Sequence, residues 1–396
     1  MTATQSGLLG EHAGLNVERA VRERYSQAAE AREENLCCAV EYDPRYLEVI
    51  PPEILERDYG CGDPSKYVAL GETVLDLGSG GGKICYIASQ IVGPQGRVIG
   101  VDCNETMLAL AKKYRESVGN QLGYHNVEFR KGKIQDLKLD LELVDEQLAR
   151  QPIQTSQDWL RIHEQLQQLR EASPMIGERT IDVVISNCVL NLVDLADRRQ
   201  LFGEMYRVLK NGGRACISDI VCDEDVPEHL MRNAKLWSGC LSGAFREDRF
   251  LEEFEHAGFY GVEVLSRQES PWAIIEGIEF RSVTVRAFKG KEGPCKERRQ
   301  AVIYKGPWKA VIDDDGHKLL RGQRMAVCDK TFQIYSRMPY SDQIAPVSPA
   351  IDIPLAEAAD FDCRGSATRS PQETKHGTPR TTQLPEENCC GPEGCC

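Results

Sequence analysis

The sequence predicts an α/β fold with a mostly parallel, doubly wound sheet, followed by a small β-rich C-terminal module. Three observations support this prediction: short apolar strand segments recur between residues 73 and 220, helix-like segments separate them, and a glycine-rich turn follows the first strand directly. Strands that alternate with helices in this way form βαβ units, whose strands lie parallel in one sheet.

The strand segments come first because they define the sheet. Most are short runs with several Val, Ile or Leu residues, which is typical of strands buried on both faces. They are predicted at 73–77, 96–102, 127–130, 181–186 and 214–220. Helices are predicted at 17–31, 83–92, 106–118 and 197–209. Asn211, Gly212 and Gly213 are expected to cap the last helix, because Gly and Asn tolerate the left-handed conformation found there.

Changes in composition divide the chain into five expected parts. A segment with a polar run of Gln, Glu and Asp interrupts the sheet domain and is interpreted as a surface helix or helical hairpin, with a partner-binding arm as the alternative. The parts are a helical, cysteine-bearing segment at 1–66, the sheet domain at 67–235 with its insertion at 139–179, a substrate-binding region at 236–290, the module at 291–348 and a disordered tail at 349–396.

Charge and cysteine content limit the function classes. With 48 basic and 61 acidic residues the net charge is −13, which argues against partners that are nucleic acids or anionic membranes. No signal-peptide pattern and no long apolar run is visible, so we expect a cytoplasmic protein without a transmembrane helix. The 16 cysteines are then expected to be thiols, since the cytosol is reducing and vicinal pairs make strained disulfides.

A cofactor site is predicted where the first strand meets the glycine turn. Asp76 precedes Gly78, Ser79 and Gly80, and Asp102 ends the second strand, where a carboxylate can accept hydrogen bonds from ribose hydroxyls. A carboxylate at Asp76 would repel a pyrophosphate but suits an ammonium or a sulfonium. The segment DLGSGGG therefore resembles motif I of the class I S-adenosylmethionine-dependent methyltransferases, which have a Rossmann-like fold.

This resemblance implies the cofactor contacts. Gly78 and Gly80 would border the methionine part, Asp102 would hold the ribose, and Met107 would pack on the adenine. Ordinary core packing is an equal alternative for Met107 and for Ile134. The remaining residues expected at the cofactor are Tyr59, Gly60, Asp76, Ser79, Ile134, Gln135 and Asn187.

Thiols occupy the positions where a methyl acceptor would lie. Cys188 follows the fourth strand, and ligands of open α/β sheets bind beyond the carboxyl ends of the strands. Cys61 precedes the first strand and Cys240 follows the fifth; no C-x-x-C pair exists, so zinc-ribbon spacing is absent. The segments YGCG, SNCVLNL and GCLSGA, with a cysteine near position 37, resemble the arsenite methyltransferases over residues 17–340.

The resemblance implies that Cys61, Cys188 and Cys240 bind trivalent arsenic, a soft, thiophilic element. Cys37 or Cys38 would match the fourth family cysteine, and which of the two does so stays open. The arsenic lone pair would attack the sulfonium methyl, so neither a general base nor a metal cofactor is expected. Arsenite and methylarsenite would be the substrates, with mono-, di- and in some cases trimethyl arsenicals as detoxification products. Each round would need a thiol reductant, glutathione or thioredoxin, and we expect a monomer.

Two other functions remain open at this stage. The cysteines would be bystanders in a class I methyltransferase of another small acceptor, or the chain would sequester metalloids through its vicinal pairs and its CCGPEGCC tail. Among the other thiols, Cys85 is a candidate for redox exchange and Cys103 for the wall of the cofactor pocket. Four further internal thiols are interpreted as core filling, namely Cys216, Cys222, Cys295 and Cys328.

Overall fold

The computed structural model describes residues 16–33, 40–376 and 381–382. The chain divides into two compact units, Met1–Gly290 and Lys291–Cys396. The predicted redox cysteines Cys37 and Cys38 lie outside the described residues, as do the four cysteines of the tail.

The first unit contains eleven α-helices and nine strands within its described residues. Its helices are α1 (Val17–Glu30), α2 (Pro44–Leu47), α3 (Pro52–Glu56), α4 (Lys83–Val92), α5 (Glu105–Leu122), α6 (Leu141–Arg150), α7 (Ser156–Ala172), α8 (Arg198–Val208), α9 (Glu228–Met231), α10 (Ala234–Trp237) and α11 (Glu247–His256). Its strands are β1 (Thr73–Leu77), β2 (Arg97–Asp102), β3 (Val127–Lys131), β4 (Ile181–Asn187), β5 (Leu209–Cys222), β6 (Phe245–Arg246), β7 (Tyr260–Arg267), β8 (Ala273–Ile275) and β9 (Ile278–Phe288).

These strands form one nine-stranded sheet in the order β3-β2-β1-β4-β5-β9-β7, with β6 beside β5 and β8 beside β9. Strands β1 to β5 run parallel, whereas β9 is antiparallel to both β5 and β7. In the sheet, β2 and β3 lie on the outer side of β1, and β5 lies on the outer side of β4. The carboxyl ends of β1 and β4 therefore flank a topological switch point, where open α/β sheets bind ligands.

Alternation along β1 explains how the site is supported. Leu75 and Leu77 point to one face and join the larger core, while Val74 points to the other and packs in the cluster that contains Cys85. Asp76 shares the face of Val74, because successive side chains of a strand alternate. A carboxylate is thereby held in the interior at the end of the central strand.

One predicted helix end differs from the structure. Asn211 to Gly213 were expected to cap a helix, but α8 ends at Val208 and these residues lie within β5. The Gly212 amide donates to the Lys289 carbonyl oxygen at 2.7 Å, so pairing next to β9 satisfies the backbone. A register irregularity between Ile181 and Val183 accommodates the change on the β4 side.

The insertion contains two helices, α6 and α7. Helix α7 begins with a capping box in which the Thr155 side chain and Asp158 bond to each other's backbone amides. Ile162 is buried, whereas Trp159 and Leu160 are more than half exposed. None of the helices in the described parts of the chain combines the length and apolar character that a membrane span requires.

The second unit is built from short strands and two helices: β10 (Lys296–Glu297), β11 (Ala301–Tyr304), β12 (Ala310–Ile312), β13 (Lys318–Leu320), β14 (Arg324–Ala326), α12 (Asp329–Tyr335), β15 (Ile344–Val347), β16 (Ala359–Asp360) and α13 (Pro371–Lys375). The pairings are β14-β11-β15, β10-β16 and β12-β13. The expectation of a disordered tail from residue 349 is wrong for 349–376. Strand β16 pairs with β10, and the Arg369 amide donates to Arg324 at 2.8 Å, so the module itself satisfies this backbone.

Candidate active site

A cavity of about 640 Å³ lies at the carboxyl ends of β1 and β4. Every residue that the sequence predicted at the cofactor lines it: Tyr59, Gly60, Asp76, Gly78, Ser79, Gly80, Asp102, Met107, Ile134, Gln135 and Asn187. Cys188 lines the same cavity. Its volume is in the range of cavities that hold small molecules.

The glycine loop brings backbone close to this cavity. Gly78 has a φ of 72°, and a Cβ placed there would lie 2.4 Å from a methyl carbon of Val189. Gly80 has a φ of 50° with open space where a Cβ would stand. Both positions favour glycine, the first because of crowding and conformation and the second because of conformation. The loop therefore presents main chain, rather than side chains, to a ligand.

Asp102 is fixed at the end of β2 by backbone amides. Its carboxylate accepts hydrogen bonds from the amides of Gly80 and Asn104, each at 2.8 Å. Burial raises the pKa of Asp102, and these amide hydrogen bonds oppose the rise. The buried hydroxyl oxygen of Ser79 has no hydrogen-bond partner within the described residues. At this end of the cavity the Asp102 carboxylate can accept hydrogen bonds from ligand hydroxyl groups, and the Ser79 hydroxyl can bond to one more polar ligand atom.

Asp76 provides a second carboxylate in a different environment. It is 2 % exposed, and burial raises its pKa to about 7. The Cys85 thiol donates to it at 3.2 Å. A cationic ligand beside Asp76 would favour its charged form, as the sequence argument required.

Helix α1 covers part of this cavity, a contribution that the sequence reasoning missed. Val21 and Tyr25 line the cavity from this helix. The side-chain amide of Asn104 donates to the Arg22 carbonyl oxygen at 3.2 Å and to the Ser26 hydroxyl at 3.0 Å. The only available signal was the amphipathic pattern of the helix, which does not identify the surface that it covers.

The adenine-side residues are found both at the cavity and in the core. Met107 is 2 % exposed and packs in the cluster of Ala28, Ala29 and Tyr59. Ile134 is 7 % exposed and belongs to the largest core cluster. Their two predicted roles, core packing and cavity wall, are therefore compatible in this fold.

The three predicted arsenic ligands come together from distant chain segments. Cys61, Cys188 and Cys240 are all buried in one apolar cluster. The sulfur atoms of Cys61 and Cys188 lie within 4.8 Å of each other, and the Cys188 thiol contacts the thiols of both Cys61 and Cys240. The Cys240 thiol also donates to the Cys188 carbonyl oxygen at 3.0 Å. Cys188 thus stands at the centre of the group.

The protonation states of these thiols follow from their surroundings. The pKa of Cys188 is raised by the neighbouring Cys61 thiol and by burial, although contact with Cys240 opposes this. Contact with Cys188 and burial raise the pKa of Cys240. Both groups are therefore neutral thiols at neutral pH.

Asn187 holds the loop that carries Cys61. Its side-chain oxygen accepts from the amides of Cys61 at 2.9 Å and Gly62 at 3.1 Å. Its side-chain nitrogen donates to the Gly62 carbonyl oxygen at 2.7 Å and to the Tyr42 hydroxyl at 3.2 Å. All of this amide's principal hydrogen-bonding directions are engaged within the protein, which indicates a positioning role.

Asp219 is a further residue that the sequence reasoning missed. It lies in β5, is fully buried, and has a carboxylate oxygen within 4.8 Å of the sulfurs of Cys61 and Cys188. Its carboxylate accepts from the amide of Leu190 and the side chain of Asn191, each at 2.8 Å. Burial raises its pKa to about 6. The signal in the sequence was a lone acid inside the apolar run ISDIVC.

Cys85 does not fit the redox role suggested for it. It is fully buried, and burial together with the adjacent Asp76 raises the pKa of its thiol well above the ordinary value. Exchange requires an accessible thiolate. Cys103, by contrast, is exposed and lines the cavity as expected.

Two family models match this chain. Residues 70–258 match a methyltransferase domain, and residues 291–379 match a domain of unknown function (DUF8838). The first match includes the strand ends that carry Asp76, Asp102 and Cys188, and the second covers most of the C-terminal unit.

Individual relatives share most of the chain. An arsenite methyltransferase from Aquipseudomonas alcaligenes is 32% identical over 75% of this chain and 80% of its own length. An arsenite methyltransferase from Mus musculus is 29% identical over 78% of this chain and 76% of its own length. The crystal structure of an arsenic(III) S-adenosylmethionine methyltransferase from Chlamydomonas reinhardtii is 26% identical, covers 81% of this chain and 98% of its own, and gives a TM-score of 0.53. The predicted class I methyltransferase fold and the predicted family resemblance are confirmed.

Proposed function

Because this chain belongs to the arsenite methyltransferase family, we propose that it transfers methyl groups from S-adenosylmethionine to trivalent arsenic bound by Cys61, Cys188 and Cys240. The observation that carries the proposal is that Cys188 belongs both to the group of buried thiols and to the wall of the cofactor cavity. Donor and acceptor sites therefore meet at one residue.

The donor side of the site suits S-adenosylmethionine. The main chain of Gly78 and Gly80 would border its methionine part, Asp102 would accept from its ribose hydroxyls, and Asp76 would face positive charge. When bound, this molecule supplies a methyl group made electrophilic by a sulfonium. The buried side chains of Met107 and Ile134 would provide an apolar wall for its adenine.

Arsenite would bind by condensation with the three thiols. In As(OH)₃, three As–O bonds break, three As–S bonds form, and each thiol gives its proton to a departing hydroxide, so that three waters leave. Because their pKa values are raised, Cys188 and Cys240 bring to this step the protons that the departing hydroxides take up. The arsenic lone pair is not used in these bonds and stays available as the nucleophile.

The lone pair then takes the methyl group. An As–C bond forms as the carbon–sulfur bond of the donor breaks, and no proton has to be removed. The three thiols contribute by fixing the direction of the lone pair, a proximity effect. Asp219 and Asn191 hold the backbone after Cys188 in place through their hydrogen bonds.

A second round requires reduction, because methylation formally oxidises arsenic from the trivalent to the pentavalent state. Two thiols restore it by forming a disulfide, and we assign this role to Cys37 or Cys38 with Cys61 or Cys188 as partner. Glutathione or thioredoxin would then reduce the disulfide. We propose that the protein acts as a monomer in the cytoplasm, where thiols persist, with mono- and dimethyl arsenicals as products and no metal cofactor.

The decisive experiment follows methylated arsenic over time. Purified protein, arsenite, S-adenosylmethionine and glutathione are incubated, and products are separated by chromatography with arsenic-specific detection. We expect methylarsenicals from the wild type and at least a hundredfold loss for Cys188→Ser. Cys222→Ser is the matched control, since Cys222 packs in the same cluster but its thiol bonds to the Phe245 carbonyl oxygen at 3.3 Å. No product from a chain that demonstrably binds S-adenosylmethionine would contradict the proposal, as would full turnover by Cys188→Ser.

A further inference from the structure

A second group of thiols lies in the C-terminal unit, apart from the cavity described above. The sulfur atoms of Cys295, Cys328 and Cys363 all lie within 4.8 Å of one another. Cys295 and Cys328 had been interpreted as core filling. Three converging thiols are unusual for packing alone, because a buried cysteine in that role behaves as an isolated small hydrophobe.

The fold of the module brings these residues together from three segments. Cys295 precedes β10 and Cys363 follows β16, and the pairing of these strands includes a bond from the Phe361 amide to the Cys295 carbonyl oxygen at 2.9 Å. The Cys363 carbonyl oxygen is in turn hydrogen-bonded to the His317 ring at 2.8 Å. Backbone pairing therefore determines the separation of two of the thiols.

Cys328 supplies the third sulfur from the start of α12. It occupies the N-cap position, and its sulfur accepts from the Thr331 amide at 3.4 Å. It is 1% exposed, whereas Cys295 and Cys363 are half-buried. The group thus combines one buried cysteine at a helix N-terminus with two cysteines that are partly exposed.

The charge around the group favours reaction with a soft electrophile. Although burial alone would raise the pKa of Cys295, contacts with the thiols of Cys363 and Cys328 and the nearby Lys330 ammonium lower it. Burial and contact with Cys295 raise the pKa of Cys363. Cys295 therefore loses its proton more readily than Cys363 does.

We propose that Cys295, Cys328 and Cys363 form a second thiol site that binds one trivalent arsenic atom. The site is independent of the proposed active site, and only the choice of arsenic among thiophilic trivalent elements rests on the proposed function. Binding breaks and forms the same bonds as at the proposed active site. Three As–O bonds of As(OH)₃ break, three As–S bonds form and three waters leave. If Cys295 reacts as its thiolate, the missing proton comes from solvent. No oxidation state changes.

The number of ligands distinguishes trivalent arsenic from zinc. Structural zinc sites are four-coordinate, with cysteine, histidine or carboxylate ligands. Among residues 16–33, 40–376 and 381–382, no histidine or carboxylate joins the three sulfurs. Three thiolates bound to As(III) give a neutral, three-coordinate product, whereas zinc would still need a fourth ligand from outside this group.

The test uses the full chain without its other candidate arsenic ligands. Serine replaces Cys37, Cys38, Cys61, Cys188, Cys240, Cys389, Cys390, Cys395 and Cys396. Equilibrium dialysis against arsenite, with arsenic measured by mass spectrometry, is expected to give one arsenic per chain, and X-ray absorption is expected to show three sulfur neighbours. Because this background lacks the proposed active-site thiols, the result does not depend on methylation.

Further single replacements in that background identify the ligands. Cys363→Ser and Cys295→Ser are each expected to weaken arsenite binding at least tenfold, while the exposed Cys103→Ser, the matched control, leaves it unchanged. Both ligand positions are half-buried, and an unchanged thermal midpoint establishes that the variants fold. The proposal is overturned if no arsenite binds, if binding survives both replacements, or if the purified chain carries zinc that Cys363→Ser removes.

Discussion

The Cys240 thiol donates a hydrogen bond to the Cys188 carbonyl oxygen at 3.0 Å, and both cysteines have left-handed backbone, with φ of 61° and 63°. A side chain in this region costs about 1–3 kcal/mol, and such costs concentrate at functional sites. The Asn191 side chain helps to hold the arrangement, donating to the Ile220 carbonyl oxygen at 2.6 Å and to that of Cys240 at 3.3 Å. Two of the three proposed arsenic ligands are thus positioned by backbone that glycine would adopt more easily.

The left-handed backbone at Cys240 predicts which of two variants at this position is the more stable. Cys240→Ala and Cys240→Gly both remove the thiol, so both are expected to lose arsenite methylation. Glycine is normally less stable than alanine, but at a φ of 61° we expect Cys240→Gly to be about 1 kcal/mol more stable than Cys240→Ala. Urea unfolding of the two proteins measures the difference. A more stable alanine variant would show that the left-handed backbone is not retained.

Asn187 should affect arsenic binding through Cys61. Because its side-chain amide bonds to both sides of the Cys61–Gly62 loop, Asn187→Ala is expected to weaken arsenite binding at least tenfold. Asn187→Asp keeps the acceptor but loses the donor to Gly62, so an intermediate loss is expected. Arsenite affinity is measured by dialysis and S-adenosylhomocysteine affinity by calorimetry. A larger change in nucleoside binding than in arsenite binding would contradict the positioning role.

Asp102 should show the opposite pattern. Asp102→Ala is expected to raise the dissociation constant of S-adenosylhomocysteine at least tenfold, since its carboxylate orders the Gly80 amide and is the proposed ribose acceptor. Arsenite stoichiometry should stay the same, because Asp102 is not in the thiol cluster. The two measurements made for Asn187 serve here as well, and each variant is the control for the other.

The buried Asp76 carboxyl is expected to make the free energy of unfolding depend on pH. Burial raises its pKa to about 7 from 3.8 in the unfolded chain, so between these values the folded protein keeps a proton that the unfolded chain has lost. Stability therefore falls as pH rises through this window and levels off above pH 7. For the ligand-free protein, Asp76→Asn removes this loss, and its stability advantage should grow by up to about 3 kcal/mol between pH 5 and pH 7.

Denaturant unfolding of wild type and Asp76→Asn at several pH values measures this effect. S-adenosylmethionine binding by the variant is expected to be weaker, since the amide carries no charge to face the sulfonium or ammonium. A constant stability difference across the pH range would show that the Asp76 carboxylate is not the titrating group.

The parts of the fold that local patterns specify were predictable. The central strands, the glycine loop and the positions of Asp76 and Asp102 follow from apolar runs, backbone freedom and strand order. The helix cap at Asn211 to Gly213 was not, because the same residues also allow a strand once β9 offers hydrogen-bonding partners. Local propensity was overridden there by long-range pairing.

Clusters built from distant segments were predictable only where a family motif existed. Cys61, Cys188 and Cys240 were found through their surrounding motifs. Cys295, Cys328 and Cys363 have no such context and no metal-binding spacing, so only the pairing of β10 with β16 reveals that they converge. Asp219 was missed for a related reason, since its proximity to Cys61 depends on a loop held by another strand.

The end of β4 sets the distance between the two proposed reactants. Asn187 bonds to the loop of Cys61, Cys188 supplies the central thiol, and the Val189 side chain fills the space beside Gly78. Three consecutive residues thus contact the Cys61 loop, provide the central thiol and contact the Gly78 loop. Peptide geometry therefore fixes the spacing of these three contacts. The thiols could therefore be replaced to suit another methyl acceptor without moving the glycine loop proposed to bind the methyl donor.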